Sequence, residues 1–146
     1  MYRIKLSIEI EATVDRVWRA LCNPDEVVRW DVAVVEALDA PADYPRPGQH
    51  VRWRCRTRLW RILHDRPREV IEGEKLRSLL ALGFSRLDET YMLTAPAAGC
   101  RLDLDLELKV ALPLLGGVIE RLYAGADTRR GFEASLAGLK RHCEAA

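Results

Sequence analysis

The chain has 146 residues, 49% hydrophobic and 31% charged, with 23 basic against 22 acidic side chains and a formal net charge of +1. That length sustains one domain, residues 1–146, around a single core; the apolar content argues against disorder, and near-neutrality gives no reason to expect a nucleic-acid binder. No apolar run reaches the roughly 18 residues of a membrane span, and Met1–Lys5 leads into alternation rather than a signal-peptide core, so a cytoplasmic protein is expected.

Tyr2, Ile4, Leu6, Ile8 and Ile10 alternate with polar residues, which predicts a half-buried strand. The period then becomes helical over Val14, Val17, Trp18 and Leu21, with Thr13 as N-cap and Asp15 in the first turn. Asn23-Pro24-Asp25-Glu26 starts a second short helix, with Asn23 as cap and Pro24 at its first position. Val32–Leu38 reads as a strand, and the three prolines of 40–48 mark a loop. Strands follow over Val51–Cys55, from about Leu59 to His64, over Val70 to about Leu82, over Arg86–Thr94 and over Cys100–Leu112, with Arg66-Pro67-Arg68 read as a turn and Pro96–Gly99 as a hairpin. The last strand has one dry and one wet face, the pattern of an antiparallel sheet covered on a single side. After Pro113, Leu115, Val118, Leu122, Gly125, Arg129, Phe132, Leu136, Leu139 and Cys143 repeat at three and four, predicting an amphipathic helix of roughly 30 residues that must lie on the dry face. Gly116, Gly117, Gly125, Gly131 and Gly138 weaken it, either for close packing or a kink, or to leave room beside a ligand. The four cysteines, 33, 45 and 43 residues apart, read as small apolar core residues.

Several local residues resemble a known superfamily. Ala12-Thr13-Val14-Asp15-Arg16-Val17-Trp18, then Leu21, Asn23-Pro24-Asp25-Glu26 and Trp30, look like the opening of the START-like SRPBCC superfamily, in its polyketide cyclase/dehydrase and lipid transport branch. Arg66-Pro67-Arg68-Glu69, Gly99 with the Leu-rich strand, and Leu139-Lys140-Arg141-His142-Cys143-Glu144 resemble its central turn, final hairpin and ending. The resemblance implies an α+β helix-grip fold: a curved antiparallel sheet of about seven strands around a long C-terminal helix, with two short helices after strand 1. It also implies a cavity between sheet and C-terminal helix for lipids, polyketides or other apolar ligands. These motifs mark caps, turns and packing, and so identify a fold better than an activity.

Cofactor and catalytic motifs are absent, and His50, His64 and His142 are dispersed, so neither a metal nor a cofactor is expected. Trp53, Trp60, His64 and Tyr91 are candidates for an apolar pocket with polar tips, ordinary core aromatics being the alternative. Leu104, Leu106 and Leu122 supply candidate apolar lining. Hairpin pairing in its simplest register turns Glu89 inward with Tyr91, whereas a slip of one residue turns Thr90 and Met92 inward instead. Arg129, on the apolar stripe, either pairs with a carboxylate such as Glu89 or reaches solvent. Arg46–Arg68 holds eight arginines and one acid, a local +7 against −6 elsewhere. Its strand face, with Arg52, Arg54 and Arg56, is read as solvated and paired with acids such as Glu72 or Glu74, or else as a peripheral contact for an anionic surface or acidic partner. The leading expectation is binding or transfer of a small apolar or amphipathic molecule. The alternatives are a polyketide aromatase/cyclase or dehydratase using His64, Glu89 or Tyr91, and a co-chaperone-like partner-binding module.

Overall fold

The computed structural model describes residues 1–57 and 60–145. Seven strands form one antiparallel sheet: β1 (Tyr2–Ile10), β2 (Val34–Ala37), β3 (Val51–Cys55), β4 (Ile62–Ile71), β5 (Lys75–Leu82), β6 (Ser85–Thr94) and β7 (Cys100–Val110), in the spatial order β1-β7-β6-β5-β4-β3-β2. Two short helices, α1 (Val14–Cys22) and α2 (Pro24–Trp30), follow β1. The chain closes with α3 (Gly116–Ile119), a π-helical turn over Glu120–Ala124, and α4 (Gly125–Glu144). This is the helix-grip α+β architecture that the element order predicted.

Caps form where the sequence placed them. The Thr13 side chain accepts from the Arg16 amide at 3.1 Å and Asn23 from the Asp25 amide at 2.9 Å, each satisfying an otherwise orphaned helix donor. The inner sheet face carries Ile4, Leu76, Tyr91, Leu93, Leu102, Leu104 and Leu106, and it meets Val17, Leu21, Val27, Trp30, Leu136 and Leu139 of the helices in one core.

Two expectations about the strands and the long helix need correction. Arg66-Pro67-Arg68 is not a turn: β4 continues through it, and the turn falls at Glu72–Glu74, where Gly73 takes a φ of 73°. The proline is tolerated because β4 has run past its last β3 partner, at Asp65, and the β4–β5 register shifts between Pro67 and Glu69, as a bulge allows. The start of that strand near Leu59 falls outside the described residues, as does Arg58. The long helix does form, but its apolar stripe is broken. Gly125, Leu136, Leu139 and Cys143 are buried, whereas Leu115, Val118, Leu122 and Arg129 are exposed, and Gly116 and Glu120 are buried in their place. The extra residue of a π turn rotates all that precedes it by about 100° relative to an uninterrupted helix. Glu120, 3% exposed, accepts the Val110 amide at 2.9 Å and meets the Met1 ammonium at 2.6 Å.

Leu114, Leu115, Val118, Leu122 and Tyr123 are therefore exposed along and before the front of the helix; Met1, Trp60, Ile62 and Phe84 are exposed as well. Trp60 and Phe84 touch edge to face at 5.5 Å, and the Phe84 carbonyl accepts from Ala111 just before the helix.

Candidate functional site

The long helix packs over β1 and the two short helices. The other half of the sheet, β3 to β6, is roofed by α2, its Asp31 cap and the loop through Tyr44, and here the interior is incompletely filled. A cavity of about 60 Å³ remains, lined by Leu21, Val27, Trp30, Asp31, Val34, Tyr44, Trp53, Leu63, Asp65, Leu76, Leu80, Glu89 and Tyr91. No residue of the C-terminal helix lines it, which corrects the expectation of a cavity directly between that helix and the sheet. The volume corresponds to about four to six waters, well below the several hundred Å³ typical of small-molecule pockets. Larger hollows lie on the outer face; the one of about 710 Å³ is an open groove flanked by charges of both signs, among them Lys5, Glu69, Lys75, Asp103 and Asp105.

Three carboxylates reach the cavity from three elements. Asp31 caps the end of α2, and its Oδ1 accepts from the Ala33 amide at 3.0 Å and from Ser135 Oγ of α4 at 2.9 Å. Asp65, on the inner face of β4, accepts at Oδ2 from the Tyr44 hydroxyl at 2.6 Å and the Trp53 indole N–H at 3.0 Å, while its Oδ1 is buried without a hydrogen-bond partner among the described residues. Glu89, 9% exposed, sits opposite Leu106 on β7 and Ser78 on β5, two residues before Tyr91 on the same face.

Burial dominates the titration of this cluster. It pushes Glu89 well above the usual carboxylate range, the Asp65 and Asp31 charges push further, and the neighbouring Tyr91 hydroxyl works against them. Burial also raises Asp31, against its bonds from Ala33 and Ser135, and Asp65, against Tyr44, Trp53 and the nearby Ser78. The Tyr44 and Tyr91 hydroxyls are driven well above the ordinary phenol range, by burial first and then by the carboxylates beside them. Glu89 is thereby held toward its neutral, proton-donating form.

The simplest β6–β7 register is the one adopted, pairing Glu89 with Leu106 and Tyr91 with Leu104. Of the side chains the sequence singled out, Trp53, Glu89 and Tyr91 line the cavity. Leu104 and Leu106 are buried in the packed core on β7, outside the cavity lining. The other four lie elsewhere. His64 faces the outer surface, its ring nitrogen 2.8 Å from that of His50, because the inward positions of β4 are those of Asp65 and Pro67. Trp60 and Leu122 are both exposed. Arg129 pairs with Glu133 at 3.1 Å, one helical turn on, and not with Glu89. Asp31, Tyr44 and Asp65 escaped the sequence reading. A strand ended at His64 and a turn placed at Pro67 hid the parity that aims Asp65 inward, while Asp31 and Tyr44 lie where no periodicity operates.

Three of the arginines in the basic stretch are paired locally. Arg52 meets Asp39 at 2.7 Å, Arg54 meets Glu36 at 3.2 Å and Arg46 meets Asp43 at 3.3 Å. The acids come from β2 and the loop after it rather than from Glu72 or Glu74.

Comparison with known proteins places this geometry. A family model described as polyketide cyclase / dehydrase and lipid transport matches residues 1–144. The chain belongs to that family. No curated protein matches it in sequence. Among solved structures it is similar to protein CV1439 from Chromobacterium violaceum, with a TM-score of 0.77 at 18% identity over 99% of this chain and 98% of that one. It is also similar to TTHA0849 from Thermus thermophilus, with a TM-score of 0.72 at 18% identity, covering 97% and 96%. The Aha1 dimer from Colwellia psychrerythraea gives a TM-score of 0.73 at 14% identity, covering 99% and 97%. At these identities the likeness is one of fold. No helix of the described residues is long and apolar enough to cross a membrane.

Proposed function

We propose that this member of the polyketide cyclase/dehydrase and lipid transport family binds a small apolar or amphipathic molecule, with its polar end in the cavity between the β3–β6 sheet and α2. The observation that carries this reading is the convergence of Asp31, Asp65, Glu89, Tyr44 and Tyr91 on one otherwise apolar interior space, an apolar pocket with a few polar tips being how such sites are built. The present volume holds a head group and little more, so an apolar body must widen the cavity or extend from it. Trp53, Glu89 and Tyr91 are the contacts we assign from the sequence, and Asp65 and Tyr44 those added by the structure. A peripheral anionic contact through Arg52, Arg54 and Arg56 is disfavoured, since acids already engage the first two. Native mass spectrometry of the purified protein should reveal a co-purified small molecule that leaves on denaturation. A protein that carries none, and takes up none from a library of amphipathic molecules, would refute the proposal.

One observation favours a second reading, a cyclase or dehydratase of the same fold. Glu89, kept neutral by burial and placed beside Tyr91, is suited to hand a proton to a ligand oxygen. Under that reading Glu89→Gln abolishes turnover while ligand remains bound.

A further inference from the structure

The cavity has a one-sided chemistry. Asp31, Asp65 and Glu89 line it, and among the described residues no Lys, Arg or His does. Asp65, 5% exposed, keeps its Oδ1 out of hydrogen-bond geometry with any described residue, the Ser78 hydroxyl lying nearby. A neutral occupant leaves this crowding of carboxylates unrelieved and an anionic one adds to it, whereas a cation offsets it.

The walls point the same way. Trp30, Trp53, Tyr44 and Tyr91 contribute rings to the lining. Both indole N–H groups are already used inside the protein, Trp30 on the Ala20 carbonyl at 2.8 Å and Trp53 on Asp65 at 3.0 Å. Those two rings therefore offer the cavity only apolar and π surface, which attracts a cation whose charge is spread over carbon. The described residues form no group of ligands fit to hold a metal ion.

We infer that the cavity binds an organic ammonium group, primary or alkylated, as the polar end of its ligand. The inference rests on the ligand-binding reading and specifies the ligand's charge. The titratable groups around Glu89 are themselves acids: Asp31 from the end of α2, Tyr44 from the loop, Asp65 from β4 and Tyr91 from β6, with the Cys22 and Cys55 thiols further off. Ser135 of α4 is uncharged and holds Asp31, and His50 acts on Asp65 through space from the outer side. Raising the pH charges these carboxylates while an alkylammonium stays cationic, so binding should tighten with pH.

The test is a matched series of butylammonium, 1-butanol and butyrate, titrated while the Trp53 indole N–H resonance is followed, because that proton is hydrogen-bonded to Asp65. Butylammonium should bind at least about tenfold more tightly than butanol, and butyrate should not compete. Where the pH is high enough for Glu89 to be ionised beside the bound cation, Glu89→Gln should lose most of the preference for ammonium over butanol. Butanol or butyrate binding as tightly as butylammonium, or no saturable shift with butylammonium, overturns the inference; the wild-type series decides this even if the variant fails to fold. A neutral or anionic molecule found by native mass spectrometry also overturns it, while leaving the ligand-binding proposal standing.

Discussion

Glu89 and Leu114 each occupy a position unusual for their residue type. Glu89 interrupts an apolar face and is tolerated because the cavity lets it remain protonated. Leu114 has a φ of 67° and is 100% exposed. A leucine in the left-handed region costs about 1–2 kcal/mol through the clash of its Cβ with the following carbonyl, and here no buried contact of its side chain offsets that cost. Asparagine enters this region far more readily. Leu114→Asn should therefore stabilise the protein by about 0.5–1 kcal/mol in urea denaturation. A loss of stability would mean that the Leu114 side chain makes contacts in solution that its exposure conceals.

At the scale of elements, the glycines of the C-terminal helix divide into two kinds. A Cβ on Gly138 would meet the Trp30 carbonyl oxygen at 2.3 Å, which is how α4 lies close against the end of α2. A Cβ on Gly131 would meet nothing within 4 Å. Gly138→Ala should cost about 1–3 kcal/mol as overpacking against backbone, while Gly131→Ala should gain about 0.5–1 kcal/mol from helix propensity. Thermal melts of the two variants should shift in opposite directions, and equal shifts would contradict the packing described. Elements were legible wherever one period ran without interruption: β1 and β7 by alternation, α1 and α2 by their caps. The reading broke at two irregularities, the bulge at Pro67 and the π turn at Glu120–Ala124, each of which inserts one residue and reverses or rotates the faces beyond it. Asp65 was lost because Pro67 was read as a turn, and Leu115, Val118 and Leu122 were misplaced by the π turn, whereas Arg129, beyond it, reaches solvent beside Glu133. Tyr44 was hidden for another reason, since it comes from a loop whose path is set by packing rather than by pattern.

Across the whole molecule, two sets of carboxylates titrate in opposite senses. Glu26 is pushed up by burial, but bonds from His142 at 2.8 Å and the Arg16 guanidinium at 2.7 Å outweigh that and hold it below its usual value. Its contribution is present above the unfolded pKa and is lost as pH falls through the folded one. Asp31, Asp65 and Glu89 are raised; their contribution is full below the unfolded pKa and is lost as pH rises through the folded values. The melting temperature should accordingly be higher near about pH 5 than near about pH 8. Glu89→Gln should reduce that alkaline decline, Asp31 and Asp65 keeping the rest, and leave unchanged the acid limb, to which Glu26 contributes together with Asp39, Asp105, Glu120 and Glu144. Parallel wild-type and variant curves would show that Glu89 is not desolvated in the folded state.

The π turn also divides the C-terminal helix into halves that are held unequally. Beyond Gly125 the helix is fastened by Leu136, Leu139 and Cys143 in the core, by Ser135 on Asp31, and by Lys140 and Glu144 on the backbone at Glu9 and Glu11. Before the turn, Glu120 supplies the main buried polar anchor, and Leu115, Val118 and Leu122 face water. Local opening should therefore be graded along a single helix. Amide protons of residues 116–124 should exchange with solvent well ahead of those of 134–143, and the front half can lift from the sheet on a timescale at which the rear half never lets go.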